Sequence, residues 1–268
     1  MAAVRPAAPS LAEIRRLLSN PLCDPDFIES LRDDPRDSVA SLLVAAERRR
    51  ERQEEAQDRT DEMLAIEKEL QASGRFVIAG VDEAGMGPLA GPIVAAAVIL
   101  GDMASFRGIH DSKNIGAALR ASLAVQIRRK ARSVSIGIAD VDEINELNVY
   151  HAGLLAMRRA VEGLTQRPDH ALVDARRIPD IGIEQSSYIR GDSRSLSIAA
   201  ASIIAKTHRD SLMDELDVRF PGYGFCRHKG YATPEHQSAL RRLGPSAVHR
   251  TSYDAVQELV SGGRQLDD

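Results

Sequence analysis

Cysteine is nearly absent from this chain: Cys23 and Cys226 are the two in 268 residues. So distant a pair offers neither zinc-site spacing nor a disulfide framework, and both read as reduced thiols of a cytosolic protein. An excess of positive charge is also missing. Lys and Arg total 35 against 39 Asp and Glu, a net charge of −4, with a pI near 6.0. That excludes a protein that coats nucleic acid by bulk charge, which usually has a pI above about 9. It leaves room for a local basic face, since residues 194–250 hold nine Lys and Arg against five Asp and Glu. No secretory apolar core follows the first residues, MAAVRPAAPS. The uncharged segment Ala84–Leu100 has 17 residues and contains Pro88 and Pro92. It is shorter than the roughly 20 residues a bilayer needs and reads as a loop plus a buried strand, so no membrane association is expected. Repeats and low-complexity segments are absent, as are a P-loop and a dinucleotide fingerprint.

What is present divides in two. Ser10-Leu11-Ala12-Glu13 matches a capping box before Leu11, Ile14, Leu17 and Leu18. Pro25 and Pro35 stand where helices commonly begin. A long helical pattern then carries a mixed-sign run over Glu47–Arg59, which reads as a solvated face. Residues 1–72 are therefore expected to be a helical N-terminal extension. From Arg75 onward apolar strand-like segments appear: Arg75–Val81, Ile93–Leu100, Ser133–Ala139, His170–Val173 and Ser186–Ile189. Helical patterns lie among and after them at Ala117–Ala131, Asn148–Leu164, Ser195–Val218 and Pro234–Leu243. This order predicts an α/β domain with a mixed central sheet flanked by helices over residues 73–260, helical at its C-terminal end, and a disordered tail at 261–268.

Four acids sit where strands or loops meet turns. Asp82 and Glu83 follow FVIAGV and precede Gly85-Met86-Gly87; Asp174 ends ALV; Asp192 follows Gly191 and precedes a long helix. A carboxylate at a buried strand end is costly unless paired. Divalent cations supply such pairing, and Mg²⁺ favours carboxylate oxygen. Taken singly, each acid also suits a turn or a helix cap, Asp192 above all. As strand neighbours, Asp82 and Glu83 should point to opposite faces, so a bend at Glu83 is expected if both are to serve one site.

The string Gly80-Val81-Asp82-Glu83-Ala84-Gly85-Met86-Gly87-Pro88-Leu89-Ala90-Gly91-Pro92 closely resembles the signature of type 2 ribonuclease H, the bacterial ribonuclease HII family. Further matches follow in order. They are Asp111-Ser112-Lys113, Glu143–Asn148, Leu172-Val173-Asp174, Gly191-Asp192-Ser193 with Ile198–Lys206, Pro221–Phe225, His228-Lys229-Gly230-Tyr231 and His249–Tyr253. The resemblance spans about residues 75–255, and the helical extension resembles one carried by some bacterial members. It implies an RNase H-like fold and an endonuclease using two divalent ions, Mg²⁺ or Mn²⁺. The implied reaction cuts the RNA strand of RNA–DNA hybrids and incises at ribonucleotides embedded in duplex DNA, leaving 5′-phosphate and 3′-hydroxyl ends. By position, Asp82, Glu83, Asp174 and Asp192 would be the catalytic and metal-holding acids. Gly85, Met86, Gly87, Lys113, Arg194, Lys229 and Tyr231 would bind substrate, with Lys206, Arg227 and Arg250 extending a basic surface. His228 and His249 would be structural or phosphate contacts. A monomer is expected.

The sequence departs from the family at three places. Met86 stands where the motif has arginine, which removes a cation and five donors from the substrate turn. Ala175-Arg176 stands where Gly-Asn is usual, and Asn114 replaces a common lysine. These departures motivate an alternative: a hybrid-binding protein with weak or lost junction-specific cleavage. A general metal-dependent nuclease of the same superfamily is a further alternative.

Overall fold

The computed structural model describes residues 9–20, 23–102, 106 and 116–261. Lys113, with its Asp-Ser-Lys motif, and the expected tail from 262 onward lie outside the described residues. By its contacts the chain forms two compact units, Met1–Arg59 and Thr60–Asp268.

The first unit contains α1 (Leu11–Leu18), α2 (Pro25–Arg32) and most of α3 (Asp37–Met63). Ser10 caps α1, its Oγ accepting from Glu13 N at 3.2 Å. Asp24 caps α2, and Pro25 opens it. Ile14, Leu18, Leu31, Val39, Leu43 and Ala46 form the small core.

The second unit is built on five strands: β1 (Ile78–Ala84), β2 (Ile93–Ile99), β3 (Ser133–Ala139), β4 (His170–Asp174) and β5 (Glu184–Tyr188). They lie in the order β3-β2-β1-β4-β5. The β3-β2-β1 half is antiparallel, whereas β4 pairs parallel to β1 and β5 parallel to β4. The expected mixed sheet is therefore present. Its helices are α4 (Ala65–Ala72), α5 (Ala117–Lys130), α6 (Val141–Glu162), α7 (Leu196–Arg219), the single turn α8 (Phe225–His228), α9 (Pro234–Leu243) and α10 (Asp254–Ser261).

Strand alternation sorts the two faces. Ala96 and Val98 of β2 pack with α5 and α7 residues. Ile93, Ala95 and Ala97 pack with Ala152, Ala156, Met157 and Ala160 of α6. The first half of helix α7 is apolar nearly all round, with Leu196, Ala199, Ala200, Ala201, Ile203, Ile204 and Ala205 buried, as suits a segment enclosed by the domain. It lies directly on β1 because Gly80 has no side chain; a Cβ there would overlap the Ser197 carbonyl.

Helix α6 starts earlier than the sequence suggests. A capping box of Asp140 and Glu143 opens it at Val141, and Asn148 then breaks it at φ 69° and ψ 163°. Asn148 Oδ1 accepts from Tyr150 N at 2.9 Å and His151 N at 3.2 Å, so it caps the second half. That second half is the segment the helical periodicity had picked out.

Candidate active site

Asp82, Glu83 and Asp174 reach one cavity without the expected bend, whereas Asp192 is not among the residues that line it. Strand β1 runs regularly through both, with Asp82 opposite Ala96 and Glu83 opposite Ala95. Asp82 faces α7, where the Ser202 hydroxyl hydrogen-bonds its carboxylate. Glu83 faces the other side, with Arg176 Nη1 at 3.4 Å from its Oε1. Asp82 Oδ1 also curls along the strand to accept from Glu83 N at 2.8 Å. The chain turns only at Gly85, φ 101°, so both side chains border the same open strand end. A side chain at Gly85 would collide with Arg209 as well as strain the backbone. Asp174 arrives by register: Val81 pairs with Val173, which sets Asp82 and Asp174 side by side at the carboxyl ends of two parallel strands. Such ends are where open α/β sheets carry ligands.

Asp192 lies in a 3₁₀ turn, Gly191–Ser193, and is 3% exposed. It does not cap α7; Ser195 does, accepting from Ile198 N. Gly191 N donates to Asp174 Oδ1 at 2.6 Å, which ties that turn to β4.

Asp82, Glu83 and Asp174 border a cavity of about 410 Å³ together with Gly85, Met86, Gly87, Arg120, Ser202, Lys206 and Tyr231. Burial pushes the Asp82 carboxyl well above the usual carboxylate range, and the charges of Glu83 and Asp174 push the same way. A hard cation beside Asp82 would relieve that repulsion.

The glycine turn is held from behind. Arg250 is fully buried. Its Nη2 donates to Gly85 O at 2.6 Å and Gly91 O at 2.8 Å, and its Nη1 donates to Met86 O at 3.1 Å. The Tyr253 hydroxyl also donates to Met86 O, at 3.0 Å. Because peptide groups are planar and trans, a carbonyl drawn inward turns the next N–H the other way. The N–H groups of Met86 and Gly87 therefore point away from the buried guanidinium. Arg209, also fully buried, donates to Pro92 O, Ala90 O and Lys229 O at 3.0–3.2 Å. Burial, with the neighbouring Arg250 charge, lowers its pKa to about 10.

Of the expected substrate residues, Gly85, Met86, Gly87 and Tyr231 line the cavity, and Tyr231 is 45% exposed. Arg194 and Lys229 are not among the lining residues. Arg194 is exposed and stacks 5.0 Å from the Tyr188 ring, while Lys229 Nζ pairs with Asp214. Arg227 pairs with Glu235. Arg250, expected on a basic surface, is instead an internal brace; sequence displays its charge but not its partners 159 and more residues away. Arg120 was missed altogether. It comes from α5, outside every recognisable motif, and no local signal marks it.

The donor set fits divalent metal in its chemistry: carboxylate oxygens with mutual repulsion at one strand end. Among the described residues, however, no three Asp, Glu, His or Cys side chains are already gathered into a metal-holding cluster. Protein partners account for part of this, since Arg176 draws Glu83 and Gly191 N holds Asp174.

The family model described as Ribonuclease HII matches residues 79–256, and that described as Ribonuclease HII N-terminal domain matches residues 10–71. The chain belongs to the ribonuclease HII family. A Ribonuclease HII of Myxococcus xanthus (strain DK1622) is 50% identical over 235 residues, covering 87% of this chain and 80% of that protein. One of Geobacillus kaustophilus (strain HTA426) is 46% identical over 257 residues, covering 96% and 98%. The crystal structure of ribonuclease H2 from Pyrococcus horikoshii OT3 superimposes with a TM-score of 0.62 at 23% identity. It covers 70% of this chain and 99% of that one, a likeness of fold. This ribonuclease HII family member is thus a hydrolytic nuclease with ribonuclease H activity on RNA–DNA hybrids. Among the described residues no helix is long and apolar enough to cross a membrane.

Proposed function

We propose that this enzyme both cuts the RNA strand of hybrids and incises duplex DNA at embedded ribonucleotides, with Asp82, Glu83, Asp174 and Asp192 holding two divalent ions. The observation that carries this reading is the convergence of Asp82, Glu83 and Asp174 on one cavity beside the Gly85-Met86-Gly87 turn. Bound Mg²⁺ or Mn²⁺ would neutralise charge on the phosphodiester and supply the activated water. The chain's own part is positional. Ser202 fixes Asp82, Gly191 N fixes Asp174, and Arg120 and Lys206, which share Asp210 at 3.6 and 2.5 Å, line the side where the phosphates would lie. The outward N–H groups of Met86 and Gly87 are suited to read a ribose 2′-hydroxyl, the group that separates RNA from DNA. Tyr231, beside Gly87, offers a ring face to the adjoining sugar.

The test is a labelled duplex carrying one ribonucleotide, incubated in Mg²⁺, Mn²⁺ or EDTA beside all-DNA and long-hybrid duplexes. Metal-dependent incision 5′ of the ribonucleotide, absent from all-DNA, is expected. Cleavage of long hybrid alone would remove the junction activity from the reading. A second reading, hybrid binding with feeble junction cleavage, draws on Arg176, whose guanidinium already sits on Glu83 and beside Met86 Sδ. Tight binding of the ribonucleotide duplex with no incision in either metal would favour it.

A further inference from the structure

Glu67 lies in α4, within the span matched by the N-terminal domain model, yet it belongs to the compact unit that contains the sheet. In sequence it looks like one more exposed acid of a charged helix. It is fully buried. Its Oε1 accepts from Ser195 Oγ at 2.6 Å and from Ser197 N at 3.0 Å, both at the start of α7. Its Oε2 is buried with no hydrogen-bond partner. Burying a carboxylate so incompletely satisfied is unfavourable, and the helix N-terminus offsets only part of the loss. A position that needed only packing would be better filled by an apolar residue, so the contacts of Oε1 are the ones to explain.

Those contacts lead to the site. Ser195 N donates to Gly191 O at 2.8 Å, and Arg194 N donates to the same carbonyl at 2.9 Å. The N–H of Gly191 in turn donates to Asp174 Oδ1. Asp192 is the next residue, inside the 3₁₀ turn that these bonds define. Helix α4 is itself fixed, with Ile66 and Leu70 packed against Ile78, Leu172 and Ile198. One buried carboxylate thus joins a rigid helix to the turn carrying Asp192 and, through Gly191, to Asp174.

We propose that Glu67 is a positioning residue for the active site, holding the Gly191–Ser195 turn so that Asp192 and Asp174 face the metal positions. The proposal rests on the reading of Asp192 as a metal-site acid. Without it the C-terminal end of the N-terminal domain model would have no link to chemistry; with it, that segment is part of the catalytic apparatus.

The experiment uses the full chain with Glu67→Ala, Glu67→Gln, Ser195→Ala and Asp192→Asn. Mn²⁺ binding is followed by electron paramagnetic resonance without substrate, and kcat and KM are measured on an RNA–DNA hybrid. Glu67→Ala and Ser195→Ala should each weaken Mn²⁺ binding and lower kcat by about tenfold, with KM changed less than about twofold, in the range seen when outer supports of metal ligands are removed. Glu67→Gln keeps an oxygen for both donors and should restore both quantities. Wild-type Mn²⁺ affinity and kcat in folded Glu67→Ala would overturn the proposal. Should that variant not fold, the same result in Ser195→Ala would overturn it. A tenfold rise in KM with unchanged Mn²⁺ binding would also overturn it. Asp192→Asn separates the two levels: if it binds Mn²⁺ and cleaves like wild type, the assignment of Asp192 fails, whatever Glu67 does.

Discussion

Acid should weaken this protein through a histidine chain that braces Tyr231. His249 Nδ1 accepts from Ser246 N at 2.9 Å, so that nitrogen carries no proton. Neutral His249 must then be protonated on Nε2, which faces His236 Nε2 at 3.1 Å and donates to it. His236 is left with its proton on Nδ1, which donates to the Tyr231 carbonyl at 2.9 Å. Every ring nitrogen of the pair has one role, and a further proton on either ring sets donor against donor. Burial first, then the neighbouring His236, lowers the His249 pKa from 6.5 to about 4, and burial lowers that of His236 too. The folded state thus refuses a proton that the unfolded chain accepts near pH 6.5. Stability is complete above that pH and is lost as pH falls toward 4. A gap of roughly 2.5 units limits the His249 contribution to about 3 kcal/mol, of which about 2 kcal/mol is gone between pH 7.5 and 5. Urea unfolding at those two pH values, in wild type and in His249→Phe, isolates the histidine, because the carboxylates titrate alike in both. Phenylalanine fits beside Tyr223 and Phe225, whose rings already surround His249, and does not titrate. Wild type should lose about 2 kcal/mol more than the variant. Equal losses in the two proteins would refute the tautomer assignment and the inferred linkage together.

Three further outcomes are expected. Ala175 sits at φ 54°, a left-handed conformation that costs a side-chain-bearing residue about 1–2 kcal/mol; Ala175→Gly should raise the thermal midpoint by about 2–4 °C, read by calorimetry. Asp82→Asn relieves a buried charge pressed by Glu83 and Asp174, so its midpoint should not fall. Its cleavage should drop by no less than the roughly 10–100-fold that loss of an outer support produces; a steady-state assay beside the melting curve checks both. Removing residues 1–59 should leave a cooperatively folded nuclease, whereas removing 1–72 should not, because the second cut takes away Ile66, Glu67 and Leu70; circular dichroism melting of the two truncations compares them.

The strands, and the places of Asp82 and Asp174 at their ends, were legible in the sequence because each has a local cause. Apolar β-rich runs ended at Asp82 and Asp174, and register alone then aligns the two. The helix cap proposed for Asp192 was a fair local reading that tertiary structure overrode, since Ser195, three residues later, has the capping geometry. Glu83 needed no bend, because a cavity at a strand end is reached from both faces of the sheet. Glu67, Arg209 and Arg250 were illegible for a shared reason. Ionisable side chains read as solvated until their partners are known, and most of theirs lie 117–165 residues away in sequence. Glycine at 80 had a signal of position, but only packing shows that α7 occupies the space a side chain would take.

Met86 and Arg176 looked like two separate departures from the family pattern, and the fold makes them one. Arg176 Nη1 stands 3.6 Å from Met86 Sδ and 3.4 Å from Glu83 Oε1, with its guanidinium stacked 5.2 Å from the Tyr150 ring. A cation is therefore present beside the Gly85-Met86-Gly87 turn, carried by the segment just after β4 rather than by the turn itself. The backbone reverses tightly at the same place: Arg176 N donates to Asp174 O at 2.6 Å, with Ala175 between them in its left-handed conformation. Restoring arginine at 86 alone would set two guanidiniums against each other beside one glutamate. The two positions must consequently be treated as a coupled pair, with interaction energies of about 0.5–3 kcal/mol expected for residues in contact. A single substitution at 86 therefore measures the conflict within this pair and not the missing arginine.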